Sequence, residues 1–160
     1  MATIEYPTAR LSAASTGVSD EFVLELRTNS ARNPALPVRP LTGREVAAVV
    51  RYALDEGQEI PLDLSAMKRI AIDPVARTAR LQPGVTVAEL EQAAFAWGLA
   101  PLADTTGLVL ANLIGAHVVN PDGELVAADA DLLREIRTGR ALGIVVDATY
   151  RLHLAAELRR

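Results

Sequence analysis

The sequence predicts an α+β fold of two small lobes: an N-terminal βαβ unit, then a mainly antiparallel sheet flanked by helices. Three observations predict it. Short stretches alternate apolar and polar residues, which is typical of half-buried strands. Two Thr-x-x-Glu capping boxes mark helix starts, and Asp-Pro and Asn-Pro-Asp-Gly sequences supply turns between strands. The length of 160 residues suits one domain.

The composition excludes several classes of protein. The net charge of −4 argues against a nucleic-acid or anionic-membrane partner. Without cysteine, the chain has no disulfide, thiolate nucleophile or cysteine-ligated metal, and its two histidines, His117 and His153, are far apart, so we predict no metal site. Since no signal peptide or membrane-spanning run is recognisable, we expect a cytoplasmic protein without a membrane partner.

Residues 1–35 are predicted to be an N-terminal extension that is partly disordered. Within it, Phe22–Leu26 fits a short strand or a helical turn, and Thr28–Pro34 is polar and turn-like. A single domain is predicted over residues 36–154, with lobe 1 over about 36–65 and lobe 2 over about 66–154, followed by a tail over 155–160.

Lobe 1 is predicted as strand, helix and strand. Leu36–Pro40 is the entry strand, and the capping box at Thr42 opens a helix over Glu45–Glu56 with one apolar face. Gly57 ends that helix, and Ile60–Leu64 forms the second strand. A run of this length is typical of a right-handed βαβ unit.

Lobe 2 begins with a hairpin that turns at Asp73-Pro74 and buries alternate residues on both arms, namely Ile70, Ile72, Ala79 and Leu81. The capping box at Thr86 then opens a helix that ends at Gly98, and we predict that Phe95 and Trp97 lie in the core. A second hairpin over His117–Val126 turns at Asn-Pro-Asp-Gly. A helix over Asp131–Arg137 and a strand over Gly143–His153 follow.

These elements resemble the FAD-binding domain of the vanillyl-alcohol oxidase and p-cresol methylhydroxylase (PCMH) family, including its berberine-bridge branch. Three runs carry the resemblance: LDLSAMKRIAIDPVARTARLQPGVTVAEL from Leu62, DLLREIRTG from Asp131 and GIVVDATYRLH from Gly143. The resemblance covers about Leu36 to His153. It implies a pared-down PCMH-type fold, with FAD as the cofactor of the relatives.

The sequence departs from that family at two internal places. The relatives have a glycine-rich pyrophosphate loop after the second strand, whereas this chain passes from Gln58–Ile60 directly to Leu62–Ser65. The expected glycine pair reads Ala111-Asn112, and the segment that covers the cofactor in relatives is absent after Ala116. Converging backbone donors need small residues. We therefore expect no cofactor, leave weak FAD binding open, and expect the relatives' substrate domain to be missing.

The catalytic candidates are Asp104, Thr105 and Thr106, because the resemblance places their turn near the flavin ring. Asp104 could act as acid or base while the threonine hydroxyls orient a carbonyl. The alternative is a polar loop whose side chains bond their own backbone.

The ligand-binding candidates are Asn112, His117 and Arg137. Asn112 could present its amide to a ligand or simply fill space left by the phosphates. His117 could shuttle a proton or be a hydrogen-bonded structural histidine. Arg137 could hold an anion bidentately, through two N–H groups of its guanidinium, or be a solvated arginine at a helix end.

Three functions fit the sequence. The first is a flavin-independent enzyme, a non-redox cyclase of polyketide or other natural-product biosynthesis, which binds a small apolar metabolite in a vacated cleft between the lobes. A homodimer or an associated biosynthetic enzyme would cover that cleft. The second is an FAD-dependent oxidoreductase or its flavin-binding subunit. The third is a non-catalytic metabolite-binding or scaffold module.

Overall fold

The computed structural model of the chain describes residues 18–158, so the disorder predicted for the first stretch concerns residues that mostly lie outside it. The fold is α+β, as predicted. Its elements in chain order are α1 (Asp20–Arg32), α2 (Gly43–Glu56), β1 (Ile70–Asp73), β2 (Thr78–Leu81), α3 (Val87–Phe95), β3 (Leu99–Ala100), β4 (Ala103–Asp104), β5 (Gly107–Leu108), a 3-10 turn (Leu110–Asn112), β6 (Leu113–Val119), β7 (Leu125–Ala127), α4 (Ala130–Arg137), β8 (Ile144–Arg151), β9 (His153–Leu154) and α5 (Ala155–Leu158).

The main sheet has five antiparallel strands in the order β1-β2-β8-β6-β7. Both predicted hairpin turns are confirmed. The Asp73 carboxylate accepts from the N–H groups of residues 75 and 76 at 3.1 and 3.0 Å. The Asn120 side chain accepts from residues 122 and 124 at 3.0 and 2.9 Å. These local bonds fix the hairpins because each turn side chain takes over backbone donors that the strands leave unpaired.

The predicted helix starts are confirmed by their caps. The Thr42 hydroxyl accepts from the N–H of Glu45 at 3.1 Å, and the Thr86 hydroxyl accepts from the N–H of Glu89 at 3.2 Å. The helix α2 ends at Gly57, whose φ of 63° is left-handed, as a glycine C-cap requires.

The end of α3 differs from the prediction. The helix stops at Phe95, and Phe95 and Trp97 are 66% and 58% exposed, so the prediction that they lie in the core is wrong. The buried face of α3 is formed by Leu90 and Ala94, so Phe95, the last residue of the helix, lies on its exposed side. Trp97 lies in the turn after the helix, and Leu99, which is 2% exposed, takes the core position instead.

Residues before Leu36 are not all extension. The stretch Thr28–Pro34, predicted as a turn, is helical as far as Arg32. The helix α1 buries Val23 and Leu26 against α2, in a cluster that also contains Val18, Ala48, Val49 and Tyr52. The partition into 1–35, 36–154 and 155–160 otherwise stays a prediction.

The βαβ unit of lobe 1 is reduced to α2 and a single parallel bridge between Val38 and Leu62. Two hydrogen bonds of 2.9 Å flank that bridge: the N–H of Val38 donates to the carbonyl of Pro61, and the N–H of Asp63 donates to the carbonyl of Val38. Lobe 1 packs directly on the sheet, in a core cluster formed by Val46, Ala47, Met67, Val119 and Val146. The lobes therefore meet across a packed core at α2, where an open cleft was expected.

The helices of residues 18–158 are all too short or too polar to cross a bilayer.

Candidate functional site

A notch opens where β2 leaves the sheet. The pairing of β2 with β8 ends at Leu81 opposite Ala148, but β8 continues back to Ile144 with a partner strand on its other side only. Two grooves of about 310 and 500 Å³ meet there. Both are lined by Leu81, Gln82 and Asp147, so the two grooves are adjacent and form the two arms of the notch.

The first groove is mostly apolar. It is lined by side chains from the turn after β2, the start of α3, β5 and β8, including Val85, Val87, Leu108, Val145 and Tyr150. Burial raises the pKa of Tyr150, which keeps its hydroxyl protonated. Within residues 18–158 that hydroxyl has no hydrogen-bond partner, so it can donate to an oxygen of a bound molecule.

The second groove is basic. Arg69 and Arg80 line it together with Ile70 and Ala71. Gln82 fixes the backbone of Arg69 through two hydrogen bonds. The side-chain oxygen of Gln82 accepts from the N–H of Arg69 at 3.0 Å, and the backbone N–H of Gln82 donates to the carbonyl of Arg69 at 3.0 Å. Gln82 thus holds the groove wall in place, and its side-chain N–H donates to the carbonyl of Leu41 at 3.2 Å.

Three charged or titratable side chains cluster beside this groove on neighbouring strands. Arg80 Nη2 donates to Asp147 Oδ2 at 2.8 Å, and His117 Nδ1 lies 2.8 Å from Asp147 Oδ1. The register places His117 directly opposite Asp147. Arg80 Nη2 is also 3.4 Å from His117 Nδ1, but an arginine can only donate. The shorter contact with a carboxylate assigns the proton to Nδ1 and leaves Nε2 as an acceptor.

The carboxylate of Asp147 is the centre of this cluster. Burial alone would raise the pKa of Asp147, but hydrogen bonds from Arg80 and His117 outweigh it and hold that pKa below its ordinary value of 3.8. Asp147 is therefore ionised at neutral pH. It orients the His117 imidazole, whose side chain is 38% exposed.

The predicted catalytic turn lies elsewhere. Asp104 ends β4, and the two-residue turn of Thr105 and Thr106 leads into β5, with all three residues exposed. The Asp104 carboxylate accepts from the N–H and the hydroxyl of Thr106 at 2.8 and 2.6 Å, and these bonds hold the pKa of Asp104 below its ordinary value. The geometry matches a side chain that bonds its own turn. Catalysis by these residues stays a prediction.

The three predicted ligand-binding residues have separate surroundings. The Asn112 side-chain nitrogen lies 3.3 Å from His153 Nε2. Because the amide nitrogen can only donate, His153 Nε2 is the acceptor. Arg137 donates to the carbonyl of Leu113 at the start of β6. His117 lines neither groove of the notch, but it is bonded to Asp147, which lines both. Ligand binding by Asn112 and Arg137 stays a prediction.

Reasoning from sequence missed Arg69, Arg80, Asp147 and Tyr150. A signal was present for one of them: Asp147 is the only charged residue in the apolar run Gly143–Ala148. A carboxylate inside such a run needs a partner. Its partners are 67 and 30 residues away in sequence, so no local pattern identifies them.

Within residues 18–158, no group of three or more His, Asp or Glu side chains is arranged to hold a metal ion.

Comparisons with known proteins support the predicted resemblance. A search with protein-family models finds no match. An FAD-linked oxidoreductase of Dictyostelium discoideum is 27% identical over 118 residues, which cover 58% of this chain and 26% of the relative.

Solved structures agree. The 6-hydroxy-D-nicotine oxidase of Arthrobacter nicotinovorans matches with a TM-score of 0.66 and 25% identity, over 77% of this chain and 38% of that one. A berberine-bridge-like enzyme of Arabidopsis thaliana matches with a TM-score of 0.66 and 20% identity, over 73% of this chain and 34% of that one. The resemblance to the PCMH and berberine-bridge-like FAD-binding domain is therefore confirmed. The chain spans well under half the length of each of these proteins.

The relationship to FAD-linked enzymes makes FAD binding possible, and the predicted lack of a cofactor receives no support from the comparisons. The residues that are present offer a poor fit to the diphosphate. In the connector Asp63–Arg69, which precedes β1, the N–H groups of residues 63, 65, 67 and 69 all donate to protein acceptors at 2.9–3.0 Å. The connector thus lacks a row of neighbouring free donors for phosphate oxygens.

The helix N-termini do not replace those donors. Each helix of the described chain has an acidic residue in its first turn, including Glu45 in α2, Glu89 in α3 and Asp131 in α4. These carboxylates already use the positive end of the helix dipole and would repel a diphosphate.

Proposed function

We propose that this domain is a flavin-independent acid–base enzyme that binds a small, largely apolar metabolite in the notch at the end of β2. The observation that carries the proposal is the Arg80–Asp147–His117 cluster beside two joined grooves. The reaction class is proton abstraction and return without net redox change, such as ring closure or isomerisation. A non-redox cyclase of natural-product assembly is the specific form that we propose.

His117 is the proposed base. Its Nδ1–H donates to Asp147, so Nε2 carries the lone pair that takes a proton from carbon next to a substrate carbonyl. Asp147 stabilises the imidazolium that forms, and Arg80 keeps Asp147 in position. The proton returns from Nε2 to the product after the new bond forms.

The apolar groove contributes positioning. Side chains such as Val85, Val87 and Leu108 exclude water from the bound molecule, and the Tyr150 hydroxyl donates a hydrogen bond to one of its oxygens. A reaction of this class depends mainly on orientation and a few polarising hydrogen bonds. The notch can supply both with few catalytic groups.

The test is base-catalysed proton exchange. Wild type is incubated in D₂O with a panel of apolar ketones and linear β-keto precursors, and deuterium incorporation next to the carbonyl is followed by NMR. We expect exchange that His117→Gln reduces by about 10²-fold or more, the usual contribution of a positioned general base. Asp104→Asn is the matched control and is expected to leave the rate within about twofold, since Asp104 is exposed and bonded to its own turn.

Two outcomes contradict the proposal. If His117→Gln leaves the rate of deuterium exchange unchanged, His117 is not the base. A loss with Asp104→Asn instead would return catalysis to the turn predicted from the sequence. Binding without any exchange across the whole panel would support the metabolite-binding or scaffold function.

The second candidate is an FAD-linked oxidoreductase or its flavin-binding subunit. The comparisons favour it, because the relatives found include an FAD-linked oxidoreductase and an oxidase. The poor fit of Asp63–Arg69 to a diphosphate argues against it.

A further inference from the structure

The two arms of the notch differ in chemistry. One is lined mainly by aliphatic side chains and Tyr150, and the other is lined by two arginines, Arg69 and Arg80. A molecule that fills both must therefore have an apolar part and an anionic part. The shared wall at Leu81 and Gln82 places the junction between these parts at the end of β2.

The two arginines are not equivalent. Arg80 is committed to Asp147 at 2.8 Å, which neutralises it. Arg69 forms no ion pair with any residue of 18–158, although its backbone is held on both sides by Gln82. The neighbouring Lys68 is paired with Glu89 at 2.8 Å. The groove thus has one uncommitted cation on a fixed stretch of backbone.

One uncommitted guanidinium matches one negative charge. A carboxylate suits it, since two parallel N–H donors of arginine match the two carboxylate oxygens. A diphosphate would bring more charge than this groove compensates, and every second N–H group of the connector Asp63–Arg69 is already bonded within the protein. A cation would be repelled.

We propose that the ligand of the notch is an apolar carboxylic acid, with its carboxylate on Arg69 and its hydrocarbon part in the groove that Tyr150 lines. This proposal rests on the function proposed above, which places the substrate in the notch, and it adds the chemical class of that substrate. It assigns Arg69 as the residue that selects the acid over its neutral analogues.

The experiment measures binding rather than activity. Octanoate and 1-octanol are titrated into the full chain, and dissociation constants are obtained from amide chemical shifts. We expect octanoate to bind wild type about tenfold more tightly than octanol. The free energy of a charge-assisted hydrogen bond is at least as large as the free-energy difference that a tenfold change in affinity requires. Arg69→Gln should abolish the preference, and Arg69→Lys should keep most of it.

The matched control is Arg151→Gln. Arg151 is an exposed arginine on the same sheet that lines neither groove, so its loss should leave the preference unchanged. Equal binding of octanoate and octanol by wild type would overturn the proposal, as would an equal loss in the Arg69→Gln and Arg151→Gln variants. Failure of both ligands to bind would overturn it too.

The two proposals fail separately. If the octanoate preference holds while no ketone exchanges its protons, the acid–base function is wrong and the ligand class stands. If exchange holds without the preference, Arg69 is not the selecting residue.

Discussion

Gly84→Ala is expected to lower the free energy of unfolding by about 2–3 kcal/mol. A Cβ at this position would lie 2.5 Å from the carbonyl oxygen of Ser65 and 2.8 Å from that of Met67. Both obstacles are backbone, so no side chain can move aside. The Gly84 N–H also donates to the Met67 carbonyl at 2.9 Å, and moving the turn away would break this bond. Urea denaturation followed by far-UV circular dichroism measures the change.

Gly115→Ala is the matched control. Its Cβ would lie 3.6 Å from Thr149 Cβ, an ordinary contact, and its φ is not left-handed. We expect a change within about 1 kcal/mol in either direction, because alanine also reduces the entropy of the unfolded chain. Equal losses at Gly84 and Gly115 would show that the close approach of the turn to the connector is not what makes Gly84 necessary.

Asp147→Asn is expected to lower the free energy of unfolding by about 1–2 kcal/mol at pH 7, since it weakens two charge-assisted hydrogen bonds. The sign of the pH dependence follows from the pKa. The folded pKa of Asp147 lies below its ordinary value of 3.8, so its stabilisation is fully present well above that value. It is lost as the pH falls through the folded pKa.

The difference between wild type and Asp147→Asn should therefore shrink as the pH falls below about 4. Asp131→Asn serves as the control, because its contact with Arg134 is 3.3 Å long and the Asp131 side chain is 82% exposed. We expect less than about 0.5 kcal/mol from that exposed pair. A difference at Asp147 that does not change with pH would contradict an ionised, hydrogen-bonded carboxylate.

Local signals in the sequence were enough for most of the elements. Asp73-Pro74 and the Asn-Pro-Asp-Gly turn define hairpins because their side chains bond the adjacent backbone. Thr42 and Thr86 define helix starts in the same way. The helix α1 was missed because its polar residues resemble a turn. Its Val23 and Leu26 have meaning only against α2, which follows later in the chain.

The site was less accessible to sequence reasoning. The sequence identifies His117 as a candidate, but its partners Asp147 and Arg80 depend on the register of three strands. Arg69 gains its role from Gln82, thirteen residues away on the next strand's end. Asp104 was chosen because of the family resemblance, whereas the structure places it on an exposed turn. Strand register therefore decides which charged residues form the site.

The most direct test of the central claim is a flavin-retention experiment on the full chain. The protein is incubated with excess FAD, passed through gel filtration, and its visible absorbance is recorded beside its absorbance at 280 nm. Because every second N–H group of the connector Asp63–Arg69 is bonded within the protein, so that no two neighbouring donors are free, we predict that no flavin band accompanies the protein peak. A protein that emerges yellow with one FAD per chain would contradict this account and support an FAD-linked oxidoreductase.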